Sequence, residues 1–172
     1  MNAQEVARHV RLLVLDVDGV LTDGHLYYSE SGHEAKAFHI HDGLGIKLLQ
    51  RGGVEVAIIT GRRSQLLERR ARELGIERII QGREDKLTAL EELLKPLQID
   101  WQHIAYMGDD LPDLPAIRRV GLGMTVANGN PLVRQHARWI AARPGGAGAV
   151  REAAEFILDA QDKLEALQAD YL

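Results

Sequence analysis

Two aspartates, Asp16 and Asp18, close the apolar run "LLVLDVD", and Asp109, Asp110 and Asp113 follow a second apolar run, "IAYMG". Carboxylates crowded in this way repel one another and rise in pKa unless a cation neutralises them. In a chain with no cysteine, hard carboxylate and carbonyl oxygens suit Mg²⁺, which takes one or two carboxylates, keeps waters and shares a phosphate oxygen. A phosphate held there would meet Asp16 as a carboxylate nucleophile able to form an acyl phosphate. Asp18, two residues on, is free to move the proton: it can protonate a leaving alcohol and later accept from an attacking water. The Thr60 hydroxyl, at the end of "VEVAIIT", and the Lys86 ammonium supply donors for phosphoryl oxygens, the electrostatic task that dominates phosphoryl transfer. Any one of these aspartates alone reads as the cap of a turn. The set, drawn from separate segments, is what points to phosphoryl chemistry.

Such distant segments meet only if a parallel sheet brings its strand ends together. "RLLVLDV", "VEVAIIT", "RII", "IAYMG" and "GLGMTV" each fit a short strand, and "RWIA" is a less regular sixth. Helical patterns separate them. Ser64 is placed to cap a helix that runs to about Leu74 and stops at Gly75, and Lys86 opens another that carries leucines to Leu97. The alternation predicts an α/β fold, a doubly wound, mostly parallel sheet with helices on both faces, in a single domain over residues 1–172. Ligands of open parallel sheets bind beyond the carboxyl ends of the strands. Asp16, Asp18, Thr60, Gly61, Asp109, Asp110 and Asp113 all fall there.

Two segments break the rhythm. In "GHLYYSESGHEAKAFHIHDG", Tyr27/Tyr28 and Ala37/Phe38 flank a polar turn, which predicts one β-hairpin inserted after the first strand, at about residues 24–40. Residues 149–172 read as a helical tail with Val150, Ala153, Ile157, Leu164 and Leu167 on one apolar stripe.

The composition narrows the function classes. The 172 residues are 45% hydrophobic and 27% charged, with a formal net charge of −4, which gives no reason to expect binding to nucleic acid or to an anionic membrane surface. The absence of cysteine excludes disulfides and thiolate chemistry. No run approaches a membrane span, and "MNAQEVARHV" lacks the pattern of a signal peptide. A cytoplasmic protein is the expectation.

In order, "DVDGVLTD", "IITGR", Lys86 and "GDDLPD" resemble the four motifs of the haloacid dehalogenase-like phosphatases. The resemblance implies Asp16 as nucleophile and Asp18 as general acid/base, with Thr60 and Lys86 as further catalytic residues. It places the Mg²⁺ site at Asp16, Asp18 (through its backbone carbonyl), Asp109 and Asp113. Asp113 would orient the metal shell, assisted by Asp110.

In that superfamily a cap domain between the motifs sets the substrate. Residues 19–59 have room only for the hairpin and one helix, and residues 61–85 only for a helix and a strand. A bare site implies a macromolecular substrate or a lid lent by another subunit. "DGHLYYSESGHEAKAFHIHDGLGIKLL" and "GGAGAVREAAEFILDAQDKL" resemble the 3-deoxy-D-manno-octulosonate 8-phosphate phosphatases of bacterial lipopolysaccharide synthesis, over nearly the whole chain. That resemblance implies a homotetramer whose hairpins pack around a symmetry axis, acting on a small sugar-acid phosphate. Nonulosonate 9-phosphate phosphatases share the pattern, as do phosphatase-like domains attached to sialic acid cytidylyltransferases, so the sugar stays open. A silent oligomerisation module is a further alternative, against which both Asp16 and Asp18 count. A phospho-acceptor receiver domain would carry its acidic pair on the first strand and its phosphorylated aspartate later, the reverse of the order here.

A sugar acid brings a carboxylate as well as a phosphate, and a guanidinium fork matches a planar carboxylate. By resemblance Arg62 and Arg70 are the expected partners, with the backbone around Asp42 and Gly43 and with Lys47. Asp18, Gly61 and Lys86 complete the expected substrate contacts. Arg63, Arg69 and Arg72 read as solvated. His39 and His41 would share one face of a strand; with His33 they read as polar hairpin residues, not zinc ligands. "PGGAGA" lacks the Lys-Ser/Thr of a nucleotide-phosphate loop and is either a linker or a flexible tail reaching a neighbouring site.

Overall fold

The computed structural model describes residues 1–172. In chain order its elements are α1 (Ala3–Ala7), β1 (Leu12–Leu15), β2 (Tyr27–Tyr28), β3 (Glu34–Ala35), α2 (Ile40–Arg51), β4 (Glu55–Thr60), α3 (Gln65–Leu74), β5 (Arg78–Gln81), α4 (Lys86–Leu94), β6 (Ile104–Met107), α5 (Leu114–Arg119), β7 (Leu122–Thr125), α6 (Pro131–His136), β8 (Trp139–Ile140), α7 (Ala149–Ala160) and α8 (Leu164–Ala169). All six expected core strands form one sheet in the order β5-β4-β1-β6-β7-β8, with every neighbouring pair parallel. Chain connectivity runs outward in both directions from β1, which makes the crevice above β1 the topological switch point where such sheets bind ligands.

The strands are apolar throughout because both faces are covered. Leu13 and Leu15 of β1 join Val56 and Ile58, Ala105 and Met107 in a core shared with Ile46 and Leu49 of α2 and with Val150, Ala153 and Ile157 of α7. Leu12 and Val14 point the other way, with Ala57, Ile59, Ile104 and Tyr106, onto Ala89 and Leu90 of α4 and Ala116 and Ile117 of α5. This two-residue alternation puts helices on both sides. No cap domain interrupts it: residues 19–54 hold the hairpin and α2, and residues 61–77 hold only α3 as regular structure. No helix is long and apolar enough to cross a membrane.

Local signals set several boundaries. Ser64 Oγ accepts from Leu67 N–H at the start of α3, and Gly75 ends it in the left-handed conformation, at φ 69°. Elsewhere the structure departs from the sequence reading. The hairpin pairs Tyr27 with Ala35 and Tyr28 with Glu34, not with Ala37 and Phe38. His39 and His41 do not lie on a strand. His39 caps α2, its Nδ1 accepting from His41 N–H at 3.2 Å. The tail is two helices, because Asp162 turns the chain at φ 55°. Leu164 and Leu167 therefore pack on the core from α8 instead of continuing the α7 stripe.

Candidate active site

The carboxyl ends of β1, β4 and β6 and the start of α4 converge in the crevice above β1. Asp16 follows β1 directly; its N–H donates to Met107 O of β6 at 3.0 Å, which carries the sheet ladder into the site. Lys86, the first residue of α4, is buried and sends its ammonium back under the strand ends. Its Nζ donates to Asp16 Oδ1 at 2.8 Å, to Asp113 Oδ1 at 3.0 Å and to Ile59 O at 3.3 Å, next to buried Thr60. Burial alone would depress the Lys86 pKa, but Asp16 and Asp113 outweigh it and hold the group above its ordinary value.

Asp113 organises the β6 side. Its Oδ1 accepts from Lys86 and from the buried Tyr106 hydroxyl at 2.8 Å, and its Oδ2 from the N–H groups of Asp109 and Asp110 at 3.1 and 3.2 Å. A carboxylate offers about four lone-pair sites, so chain donors fill them all. These bonds let Asp113 brace Lys86 and the backbone that carries Asp109 and Asp110. Gly108 makes this contact possible: a Cβ there would stand 2.3 Å from the Asp113 Cβ.

Oxygens of Asp16, Asp109 and Asp113 lie within 4.8 Å of one another. Burial first, and then Asp113, push the pKa values of Asp16 and Asp109 up to about 7. Two hard carboxylates that ionise reluctantly at such close range are a donor set that a divalent cation would relieve, so the residues fit Mg²⁺. Asp110 is exposed and accepts from Asn130 Nδ2 at 3.2 Å, outside this cluster.

Asp18 is paired with the hairpin segment. Its Oδ1 pairs with Lys36 Nζ at 2.5 Å, a lysine whose side chain is only 3% exposed. The Lys36 ammonium also stands 3.6 Å from Glu34 Oε1, which accepts from Arg62 Nη2 at 3.2 Å; that same nitrogen donates to Tyr28 Oη at 3.3 Å. The hairpin thus feeds Tyr28, Glu34 and Lys36 into the crevice. Tyr28 was read only as a hairpin residue, and Glu34, Lys36 and Tyr106 carried no signal of a site role, because their partners are distant in the chain.

Other expected contacts sit elsewhere. The Asp42 side chain is buried beneath α7, where its Oδ1 accepts from Arg151 N–H at 2.8 Å and braces the two helices. Arg70 packs against Gly43, where a Cβ would come within 2.4 Å of its Nη2, and over the Phe38 ring, with Glu73 3.5 Å away. Lys47 is exposed on α2. Gly61 faces the Glu84 carboxylate, 2.4 Å from where a Cβ would lie. Trp139 stacks on Phe156 and Trp101 lies under Arg119, both packing roles as expected. The glycine-rich loop is neither a linker nor a free tail. A Cβ on Gly145 would lie 1.7 Å from Gly19 O, and Gly146 N–H donates to Val20 O at 3.0 Å, so the loop is wedged against the turn that carries Asp18.

The comparisons with known proteins agree with this geometry. Residues 75–151 match the family model of haloacid dehalogenase-like hydrolases. A 3-deoxy-D-manno-octulosonate 8-phosphate phosphatase of Yersinia pestis is 50% identical over 92% of this chain and 85% of its own. Crystal structures of a probable YrbI family phosphatase from Pseudomonas syringae and of a 3-deoxy-D-manno-octulosonate 8-phosphate phosphatase from Moraxella catarrhalis both superpose with TM-score 0.97. The first is 54% identical and covers 98% of this chain and 96% of its own; the second is 49% identical and covers 99% and 98%. The Moraxella structure holds a magnesium ion, a phosphate ion and the sugar acid. Motif order, sheet topology and near full-length similarity agree: the chain belongs to the haloacid dehalogenase-like family of 3-deoxy-D-manno-octulosonate 8-phosphate phosphatases.

Proposed function

We propose that the protein hydrolyses 3-deoxy-D-manno-octulosonate 8-phosphate to the free sugar acid and phosphate, through a phosphorylated Asp16. The observation that carries this reading is the placement of buried Lys86 between Asp16 and Asp113 beneath the switch-point crevice. Lys86 holds Asp16 Oδ1 and leaves Oδ2 to attack phosphorus. As the new P–O bond forms, the bond to the sugar oxygen breaks, and that oxygen takes a proton from Asp18. Lys36 fixes one oxygen of Asp18, which leaves the other for this transfer. Asp18 then removes a proton from water, the water oxygen attacks phosphorus, and the bond to Oδ2 breaks to restore the Asp16 carboxylate and release phosphate. Thr60 and Gly61 close around the phosphoryl oxygens. Magnesium, held by Asp16, Asp109 and the Asp18 carbonyl, supplies positive charge for those oxygens when bound.

Arg62 is the group for the sugar-acid carboxylate, since it follows Thr60 and Gly61 after β4, is linked to Asp18 through Glu34 and Lys36, and has its side chain 39% exposed. Arg70, which lies over the Phe38 ring at the end of the hairpin, the backbone at Asp42 and Gly43, and Lys47 of α2 would extend these contacts. The working form is a homotetramer in the cytoplasm. The hairpin supports this assembly, because it shows solvent Leu26, Tyr27 and Tyr28, with Ile40 just beyond it, and no cap covers the site from within the chain.

The test is phosphate release from a panel holding 3-deoxy-octulosonate 8-phosphate, nonulosonate 9-phosphates and hexose phosphates, with Mg²⁺ and with chelator. The proposal expects the octulosonate to give the highest kcat/KM and chelator to abolish turnover. Preference for a nonulosonate or a hexose phosphate would overturn the substrate, and full activity in chelator would overturn the metal.

A further inference from the structure

We infer that Glu34 is a specificity-determining residue, an internal carboxylate that occupies Arg62 until the carboxylate of the sugar acid takes its place. The inference rests on the substrate class proposed above. Of the Arg62 guanidinium nitrogens only Nη2 is bonded, to Glu34 Oε1 at 3.2 Å and to Tyr28 Oη at 3.3 Å, while Nε is buried and makes no hydrogen bond. Arginine binds a carboxylate best through two parallel bonds. Glu34 touches one nitrogen through one oxygen, so the seat is taken but the fork is unfilled.

The hairpin supplies the means of exchange. Tyr28 and Glu34 are cross-strand partners, so both reach Arg62 from one face of the same pair. Glu34 Oε1 also stands 3.6 Å from Lys36 Nζ, and the Lys36 side chain is 3% exposed. When a ligand carboxylate claims Arg62, Glu34 keeps a cation beside it, and no buried charge is left alone. The sugar acid carries both the phosphate for Asp16 and the carboxylate for this exchange. A phosphate ester without a carboxylate leaves Glu34 in place and gains nothing from Arg62.

The two ends of Glu34 predict opposite effects from two variants. Glu34→Gln removes the competing charge, and Lys36→Met removes the cation that lets Glu34 leave. The experiment measures, in the full chain with Mg²⁺, the ratio of kcat/KM for 3-deoxy-octulosonate 8-phosphate to that for glucose 6-phosphate. It also measures inhibition of p-nitrophenyl phosphate hydrolysis by free 3-deoxy-octulosonate. Taking ratios cancels any effect of Lys36 on Asp18 that is common to both substrates. Glu34→Gln should raise the ratio by about twofold to fivefold, the scale of a half-exposed ion pair, and tighten inhibition by a similar factor. Lys36→Met should lower the ratio, and Arg62→Ala placed on Glu34→Gln should erase the gain. A ratio that falls or stays level in Glu34→Gln would overturn the inference, because Glu34 would then be only a brace for Arg62. A wild-type enzyme with no preference for the octulosonate would defeat the substrate proposal instead.

Discussion

Lys86 Nζ lies 2.8 Å from Asp16 Oδ1 and 3.0 Å from Asp113 Oδ1, so a single buried cation ties the end of β1 to the segment after β6. Removing one partner of a buried ion cluster leaves charge without compensation, at a cost of about 3–5 kcal/mol. Lys86→Met should therefore lower stability on that scale in metal-free buffer, measured by urea unfolding, and Mg²⁺ should recover part of the loss. Its kcat should fall by roughly a hundredfold or more, as when a donor to a transition-state oxyanion is removed. Unchanged stability together with near wild-type kcat would show that Lys86 is peripheral.

The acidic cluster predicts a pH dependence. Asp16 and Asp109 hold their protons up to about pH 7 in the folded chain, against 3.8 for the free side chain, first because they are buried and then because Asp113 is near. Across that interval the native state binds more protons than the unfolded chain, so stability falls as pH rises from about 4 to about 7 and levels above it. Thermal melts of metal-free protein should show this decline. Mg²⁺ needs both carboxylates ionised, so its stabilisation should be small at about pH 5 and amount to several degrees at about pH 8. A magnesium shift that is the same at both values would contradict the assignment of the ligands.

The wedge between the glycine-rich loop and the turn after Asp18 can be tested alone. Gly145→Ala drives a methyl group into Gly19 O, a backbone atom with nowhere to go. Overpacking of this kind costs about 1–3 kcal/mol. Because the displaced turn carries Asp18, kcat should fall more than KM changes. Wild-type kcat and melting temperature would show that the loop yields freely.

Much of this site was legible because parallel strands deliver their last residues to one edge. Asp16, Thr60, Asp109 and Asp113 each follow a short apolar run, and that pattern suffices to bring them together. The α3 helix was equally open to reading, since Ser64 and Gly75 are local signals. What stayed hidden depends on contacts with no local signature. Tyr106 reads as one more apolar strand residue, yet its hydroxyl reaches Asp113. Lys36 looks like a charge on an exposed hairpin, but the tight pairing of Tyr28 with Glu34 sends it to Asp18. Asp42 sits at the start of a helix with no sequence signal for its partner, and its carboxylate accepts from the first turn of α7. Long-range partners of this sort are set by tertiary packing, which periodicity does not encode.

The most direct test of the account is to find where the phosphoryl group goes. An aspartyl phosphate is reduced by borohydride to homoserine, so quenching the enzyme during turnover of 3-deoxy-octulosonate 8-phosphate and sequencing its peptides by mass spectrometry reports the nucleophile. Homoserine is expected at position 16, dependent on substrate and Mg²⁺. Reduction at another aspartate, or turnover with no reducible aspartate at all, would contradict it.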